Sequence, residues 1–360
     1  MSIVSENGGG GIRCAVTGGR GFIGSHVVDH LKASGCKVLT IDAKGPRQQA
    51  IDMLQTARLT ERFEQFRPHY VFHLAALADA RAALADPVAA IQANIAGTAS
   101  VLEAARRAQA KRLILASSWW VTDALSATRA LGESTPGIPK GTGHVYTTTK
   151  LAAEWLLHDF NALYGLRFTI LRYGTAYGPG MWPGLALRSF LDQATAGKPI
   201  TIFGDGSDLR RLVYVGDLAR AHVLALQDVA ENQVYELEGL QAVSVGELAE
   251  LVSRLLGGIP ITYQREPSRA NQPSRAEKII PNEKAHRELG WRPDVDLEQG
   301  VLETIEWYCR EVLHVEGRKN TPPARSRIPT PLRNGAPGRF SHAARTSRRA
   351  GWDSNPRLPD

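Results

Sequence analysis

The 360-residue chain is poor in sulfur. Its three cysteines, Cys14, Cys36 and Cys309, form no C-x-x-C pair and no metal-ligand spacing. Three cannot all pair with one another, and they read as reduced thiols of a cytosolic protein, with Cys14 and Cys36 packed at the edges of apolar runs. No apolar run approaches the roughly 20 residues that span a bilayer, which excludes a membrane-spanning reading. Met1 to Gly11 is polar and glycine-rich, reads as flexible, and lacks the basic-then-apolar order of a secretory leader. No internal repeat is visible. Charge of one sign is also missing from most of the chain. The formal net charge is +7, and the ten Lys/Arg set against three acids between Glu316 and Asp360 account for all of it, leaving Met1 to Val315 formally neutral. The body therefore carries no footprint for a specific nucleic-acid partner, and any such contact falls to the tail. From residue 316 the chain is rich in Pro, Arg, Ser and Gly. Such a segment buries too little apolar surface to offset its ordering entropy, so it reads as a disordered basic tail over 316–360.

What is present is an ordinary globular balance, 43% hydrophobic and 22% charged residues, long enough for one large or two ordinary domains. The first half alternates short apolar runs with helical patterns. Ile12–Val16, Lys37–Ile41, Tyr70–Leu74, Arg112–Ala116 and Arg167–Leu171 read as buried strands. Ser25–Ala33, Ala89–Gln109 and Thr149–Leu163 read as helices. Continuous apolar strands separated by helices predict a parallel sheet covered on both faces, and right-handed crossovers make it an α/β doubly wound Rossmann domain over 12–177. After Tyr177 the chain is punctuated by Gly178-Pro179-Gly180, Trp182-Pro183-Gly184 and Gly204-Asp205-Gly206. Residues 178–315 are expected to form a smaller, substrate-facing lobe that shares one or two strands with the main sheet.

Gly18-Gly19-Arg20-Gly21-Phe22-Ile23-Gly24 lies between the first strand and the first helix. Gly18 permits a tight turn, Gly21 lets the backbone approach a pyrophosphate, and Gly24 lets helix and strand pack closely. The helix N-terminus, with Phe22 and Ile23, offers N–H groups and a partial positive charge to phosphate. Asp42, at the end of the second strand and 18 residues after Gly24, can accept bonds from ribose hydroxyls and repels a 2′-phosphate, which favours NAD. Arg20 and Lys44 stand nearby and keep NADP open.

With these motifs the chain resembles the NAD-dependent epimerase/dehydratase family of extended short-chain dehydrogenases. The resemblance runs from about Ile12 to Tyr308. It rests on an ordered set: the glycine motif, His73-Leu74-Ala75-Ala76, Asn94, Ser117-Ser118, Tyr146-Thr147-Thr148-Thr149-Lys150, Leu171-Arg172-Tyr173 running into Tyr177-Gly178-Pro179-Gly180, Gly204-Asp205-Gly206 with Arg210, and Leu289-Gly290-Trp291 with Pro293. The chemistry also stands on the residues themselves. Tyr146 and Lys150 share one helix face. A phenol ordinarily titrates near 10, and an ammonium beside it together with the positive nicotinamide ring is expected to lower that value. Tyr146 then serves as base toward a sugar hydroxyl, Lys150 holds the nicotinamide ribose, and Ser118 hydrogen-bonds the reacting oxygen. The resemblance further implies that Leu74, Ala75 and Ala76 line the cofactor's path, with Asn94 near its adenine side and Tyr173 also along the cofactor. Asp52 and Met53 would embrace the adenine. Thr175, Arg210 and Arg269 would contact the nucleotide-sugar substrate, the arginines through their planar forks. Pairing into a homodimer through Ala89–Gln109 and Thr149–Leu163 is likewise implied.

Departures narrow the activity. Dehydratases resembling this chain carry Asp-Glu after the catalytic hydroxyl residue, and sugar-acid decarboxylases a glutamate. Here Trp119 and Trp120 stand in those places, and indoles perform no acid–base elimination. A 4-epimerase needs no further acid or base, so epimerase leads. A sugar or sugar-nucleotide dehydrogenase or reductase is the alternative, and a non-catalytic NAD-binding scaffold a third. Thr175, Gln272 and Arg211 depart from the family pattern and leave the sugar and the nucleotide open among UDP, dTDP and GDP. Trp119 and Trp120 either line the sugar pocket or pack beneath it.

Overall fold

A computed structural model describes residues 11–46, 50–121, 144–265 and 282–313. The expectations for the first ten residues, for the tail from 316, and for Arg269 and Gln272 lie outside them.

The chain opens with β1 (Arg13–Thr17), α1 (Phe22–Ala33) and β2 (Lys37–Ile41), followed by α2 (Thr56–Phe66) and β3 (Tyr70–His73). Then come α3 (Ala80–Ala85), α4 (Pro87–Ile91), α5 (Gly97–Arg107), β4 (Arg112–Ser118), α6 (Val145–Tyr164) and β5 (Arg167–Tyr173). With β9 (Gln233–Leu237) the strands form one six-stranded sheet in the order β2-β1-β3-β4-β5-β9, every pair parallel. β3 and β4 are buried at every position, as strands covered on both faces must be. One face is closed by α1 and α8 (Val215–Leu224), whose Val27, Leu31, Leu218 and Ala221 share a core with Val16, Phe72 and Ile114. The other face is closed by α2, α5 and α6, through Leu59, Phe63, Val101 and Leu157 against Val71, Leu113 and Ile170. The expected doubly wound α/β architecture is what the chain adopts.

The order places β2 on one side of β1 and β3 on the other. The crossovers therefore diverge after β1, and a crevice opens between the carboxyl ends of β1 and β3, the place where open α/β sheets bind ligands. The remaining elements form a smaller body on that end. β6 (Thr175–Tyr177), β8 (Leu209–Tyr214) and β10 (Ala242–Ser244) make a three-stranded sheet, and β7 (Ile200–Phe203) pairs with β11 (Ile261–Gln264). They pack with α7 (Ala186–Thr195), α9 (Val245–Leu255) and α10 (Leu297–Trp307) around Phe190, Ile202, Leu248, Val252 and Val301. Ser244 and Glu247 form a capping box at the start of α9. The later half is interleaved with the main sheet, since it supplies both β9 and α8.

Two sequence expectations shift. The helix expected over Ala89–Gln109 begins at Pro87 and contains one wide π turn, Gln92–Ala96, that links α4 to α5. The helix expected over Thr149–Leu163 begins four residues earlier, at Val145, and ends where Gly165 adopts a φ of 70°.

Candidate active site

The glycine loop leaves β1 at the crevice. Gly18 has a φ of 70°, and a Cβ there would lie 2.7 Å from the Ala75 nitrogen. Only glycine allows the loops after β1 and β3 to run this close. At Gly24 a Cβ would fall 2.1 Å from the Gly18 carbonyl oxygen, so the first turn of α1 seats directly on the loop. No side chain caps α1 and no acid stands in its first turn. An uncapped helix N-terminus reached through a loop without Cβ atoms suits a pyrophosphate. Asp42 sits beside the loop at the end of β2. Its carboxylate accepts the Arg20 N–H and the Lys44 N–H, each at 2.9 Å. These bonds fix the carboxylate beside the glycine loop and leave lone pairs for hydroxyl donors. Met53 packs against Gly97 at the start of α5, where a Cβ would lie 2.8 Å from its Cγ. Asp52 turns its carboxylate onto the Leu54 N–H at 2.9 Å. The residues present thus fit a dinucleotide of the NAD type.

On the far side of the crevice, β4 ends at Ser118 and α6 begins at Val145. Tyr146 and Lys150 stand one turn apart on α6, with the Lys150 Nζ 5.9 Å from the Tyr146 ring centroid. The Tyr146 and Ser118 hydroxyls are hydrogen-bonded. Lys150 Nζ donates to the Ala116 carbonyl at 2.9 Å. The three residues singled out from the sequence are therefore brought together, and both Ser118 and Lys150 are buried. Burial pushes the Tyr146 phenol up to about 12, while the Ser118 bond pulls it down. In the protein alone desolvation outweighs the neighbouring amine, so the lowering expected from the Tyr/Lys spacing does not appear. Burial likewise brings the Lys150 ammonium down to about 8, opposed by the Glu154 carboxylate.

Trp120 stands beside the candidate base. Its ring lies edge-on to Tyr146 at 5.9 Å and to His144 at 4.8 Å, so it walls the phenol, with Trp119 against it at 6.2 Å. No carboxylate follows Ser118 in the positions an elimination would use.

Other candidates land differently. Asn94 is buried within the π turn. Its Oδ1 accepts the Leu77 N–H at 2.7 Å, and its Nδ2 donates to the Leu77 carbonyl and to Thr149 Oγ1. Its amide is spent bracing the loop after β3, including Leu74, Ala75 and Ala76, against α6, rather than facing an adenine. Tyr173 is a core residue whose hydroxyl meets His222 Nε2 at 2.6 Å. His222 Nδ1 donates to the Leu218 carbonyl, so Nε2 is the acceptor and the phenol the donor. That pairing anchors Tyr173 in the core, within electrostatic reach of Tyr146. Thr175 opens β6 directly after β5 and pairs with Leu212 of the neighbouring β8, which also carries Arg210. The Arg210 guanidinium folds back onto the Leu209 carbonyl at 2.8 Å and the Asp208 carboxylate at 3.1 Å.

Two acids escaped the sequence reading. Glu154, one turn past Lys150, accepts Ser117 Oγ at 2.5 Å and Arg172 Nη2 at 2.6 Å. Its signal was present as a third member of the Tyr146–Lys150 spacing. Glu238, just past β9, is buried against Gly174 with one carboxyl oxygen lacking a hydrogen-bond partner, and burial together with Glu236 pushes it up to about 8. Nothing in its local sequence marks it. Among the described residues no cluster of His, Cys, Asp and Glu is arranged to hold a metal ion, and no helix is long and apolar enough to cross a membrane.

Comparison with known proteins gives a consistent match. Residues 14–237 match the model of the NAD-dependent epimerase/dehydratase family. The chain is 30% identical over 314 residues to a UDP-glucuronate 4-epimerase of Thermodesulfobacterium geofontis, covering 81% of this chain and 94% of that one. It is 29% identical to a dTDP-glucose 4,6-dehydratase of Neisseria gonorrhoeae, over 81% and 94% of the two chains. Among solved structures it is similar to a UDP-glucose 4-epimerase of Thermus thermophilus in complex with NAD, with a TM-score of 0.70, 30% identity, and coverage of 84% of this chain and all of that one.

Proposed function

Because the chain belongs to the NAD-dependent epimerase/dehydratase family, we propose that it is a 4-epimerase of a nucleoside-diphosphate sugar. The observation that carries this reading is the joined Tyr146–Ser118–Lys150 group with tryptophans in place of elimination acids beyond it. Relatives with both activities match the chain to similar degree, so the identity of these side chains decides between them.

Bound NAD supplies a hydride acceptor that later gives the same hydride back. The chain's own residues do the rest. Tyr146 Oη takes the proton of the sugar alcohol, and Ser118 Oγ orients the oxygen that loses it. A phenol at about 12 is a weak base at neutral pH, so the positive charges gathered around it must bring it down. Lys150 supplies one of them and would also hold the nicotinamide ribose. In the return half-reaction Tyr146 hands its proton to the oxygen of the turned keto-sugar. Trp120 and Trp119 wall this space and keep water from the phenol. The glycine loop and α1 would hold the pyrophosphate, with Asp42 on the adenosine ribose. Thr175, Arg210 and Arg269 are assigned to the substrate's diphosphate from the sequence.

The test is Tyr146→Phe in full-length protein supplied with NAD and either UDP-glucose or UDP-glucuronate. Turnover should fall by about 10²–10⁴-fold, the usual worth of a positioned acid–base group, with NAD affinity held within a few-fold. Retained turnover, or NADH accumulating in proportion to product in the wild type, overturns the assignment. The latter result would favour a dehydrogenase.

The assignment includes a homodimer. Leu84, Val88 and Ile91 on α3 and α4 stand 47–73% exposed, at helical spacing, beside α6, whose Trp155 is 47% exposed. A stripe of this kind is suited to a second copy of the same face.

A further inference from the structure

Glu154 takes no part in the chemistry above, yet it is 3% exposed and shares a face of α6 with Tyr146 and Lys150. A buried carboxylate is costly unless paired, and this one is held on every side. Its Oε1 accepts Ser117 Oγ at 2.5 Å and Arg172 Nε at 3.0 Å, and its Oε2 accepts Arg172 Nη2 at 2.6 Å. Arg172 reaches on to Glu236 of β9 at 3.1 Å. Three successive residues of β4 are thus fastened to one face of one helix. The Ala116 carbonyl receives Lys150, the Ser117 hydroxyl donates to Glu154, and the Ser118 hydroxyl bonds Tyr146.

Building on the roles assigned to Tyr146 and Lys150, we infer that Glu154 is a positioning residue that locks α6 to β4 through Ser117 and to β5 through Arg172 and keeps Lys150 charged in a closed site. The groups facing Lys150 are Tyr146 and Glu154 on its own helix, His73 from β3, and Arg172 from β5 with Glu236 of β9 behind it. His73 is neutral, because burial and Lys150 itself hold it down at about 3. Arg172 is ion-paired with both Glu154 and Glu236. Glu154 is the charge that favours the ammonium. With burial already bringing Lys150 to about 8, removing that charge leaves desolvation unopposed, and the amine loses its proton at lower pH.

Two readouts test this in the full chain: the alkaline limb of turnover with NAD and UDP-glucose or UDP-glucuronate, and the pH midpoint of Lys150 acetylation by acetic anhydride, followed by mass spectrometry without substrate. The wild type should turn near pH 8 in both. Glu154→Gln should move both midpoints down by about one unit, a tenfold change in proton affinity. Glu154→Asp keeps the charge and should restore the midpoint while kcat stays low. Ser117→Ala removes one fastening and should leave the midpoint in place. An unmoved labelling midpoint in Glu154→Gln overturns the inference. Should that variant fail to fold, the double variant Glu154→Leu with Arg172→Met replaces the ion pair by apolar side chains and should move the labelling midpoint down likewise; no change overturns the inference equally. Labelling does not depend on turnover, so inactivity with both sugars counts against the proposed reaction and leaves the role of Glu154 to be decided separately.

Discussion

His73 and His222 are enclosed imidazoles on opposite faces of the sheet, His73 toward α5 and His222 on α8, and each has its tautomer dictated by its neighbours. Thr98 donates to the Asn94 carbonyl, so His73 Nε2 must donate to Thr98 and its Nδ1 must accept from Thr17. His222 is fixed the other way round, by the Leu218 carbonyl and the Tyr173 phenol. Burial lowers both, His73 to about 3 and His222 to about 4, from the usual 6.5. The unfolded chain therefore binds protons below pH 6.5 that the folded chain refuses, and stability declines as pH falls from there toward 4. The slope is about 1.4 kcal/mol per pH unit for each histidine. Urea unfolding midpoints at pH 7 and pH 5 measure it, and Thr98→Val should lower the midpoint at both while leaving the histidine-driven slope. At this scale the sequence showed which residue types would meet. Tyr146, Lys150 and Ser118 were legible from spacing and family pattern. Their protonation was not, because the phenol's value is governed by burial under Trp120, and burial is set by chain that folds in from elsewhere.

Helix α6 shows what elements add to residues. The apolar pattern started it at Thr149 because Val145, Tyr146 and Thr147 are poor helix formers, although the Tyr146–Lys150 spacing already asked for a helix one turn earlier. Tertiary contact overrides it through the fastenings to β4. The π turn at Gln92–Ala96 escaped for a similar reason. It follows from aiming Asn94 at both Leu77 and Thr149, and no periodicity encodes that. The five leading strands were readable as apolar runs. The pairing of β7 with β11 was not, since these four-residue strands lie about sixty positions apart and β11 is mostly exposed. A second prediction belongs here. Arg112 opens β4, is 2% exposed, and donates to the Ala225 and Gln227 carbonyls at 3.0 and 2.8 Å. It ties the end of α8 beneath the sheet. Arg112→Met keeps the bulk but strands both carbonyls, at about 1–3 kcal/mol each by the usual penalty for buried unsatisfied groups. A thermal melt should show the loss, with NAD affinity little changed because the crevice lies at the opposite end of the strand. Unchanged melting sinks the anchoring role.

For the molecule as a whole, the prediction concerns assembly. If Leu84, Val88, Ile91 and Trp155 meet a second copy, Val88→Asp combined with Trp155→Glu places charges in an apolar contact. Light scattering during gel filtration should then show a monomer where the wild type shows a dimer. A wild-type monomer, or a double variant that still pairs, removes this face as the interface. The body's neutrality and the charge of the tail were legible from composition, and a strand shared between the later half and the main sheet was expected. Which strand it is was not legible, because β9 joins β5 across sixty residues of intervening chain. The fastening of β4 to α6 has a last consequence at this scale. The phenol and amine are indexed to the sheet by contacts of their own, so substitutions elsewhere on the substrate-facing surface can change what is bound while the reacting group keeps its aim.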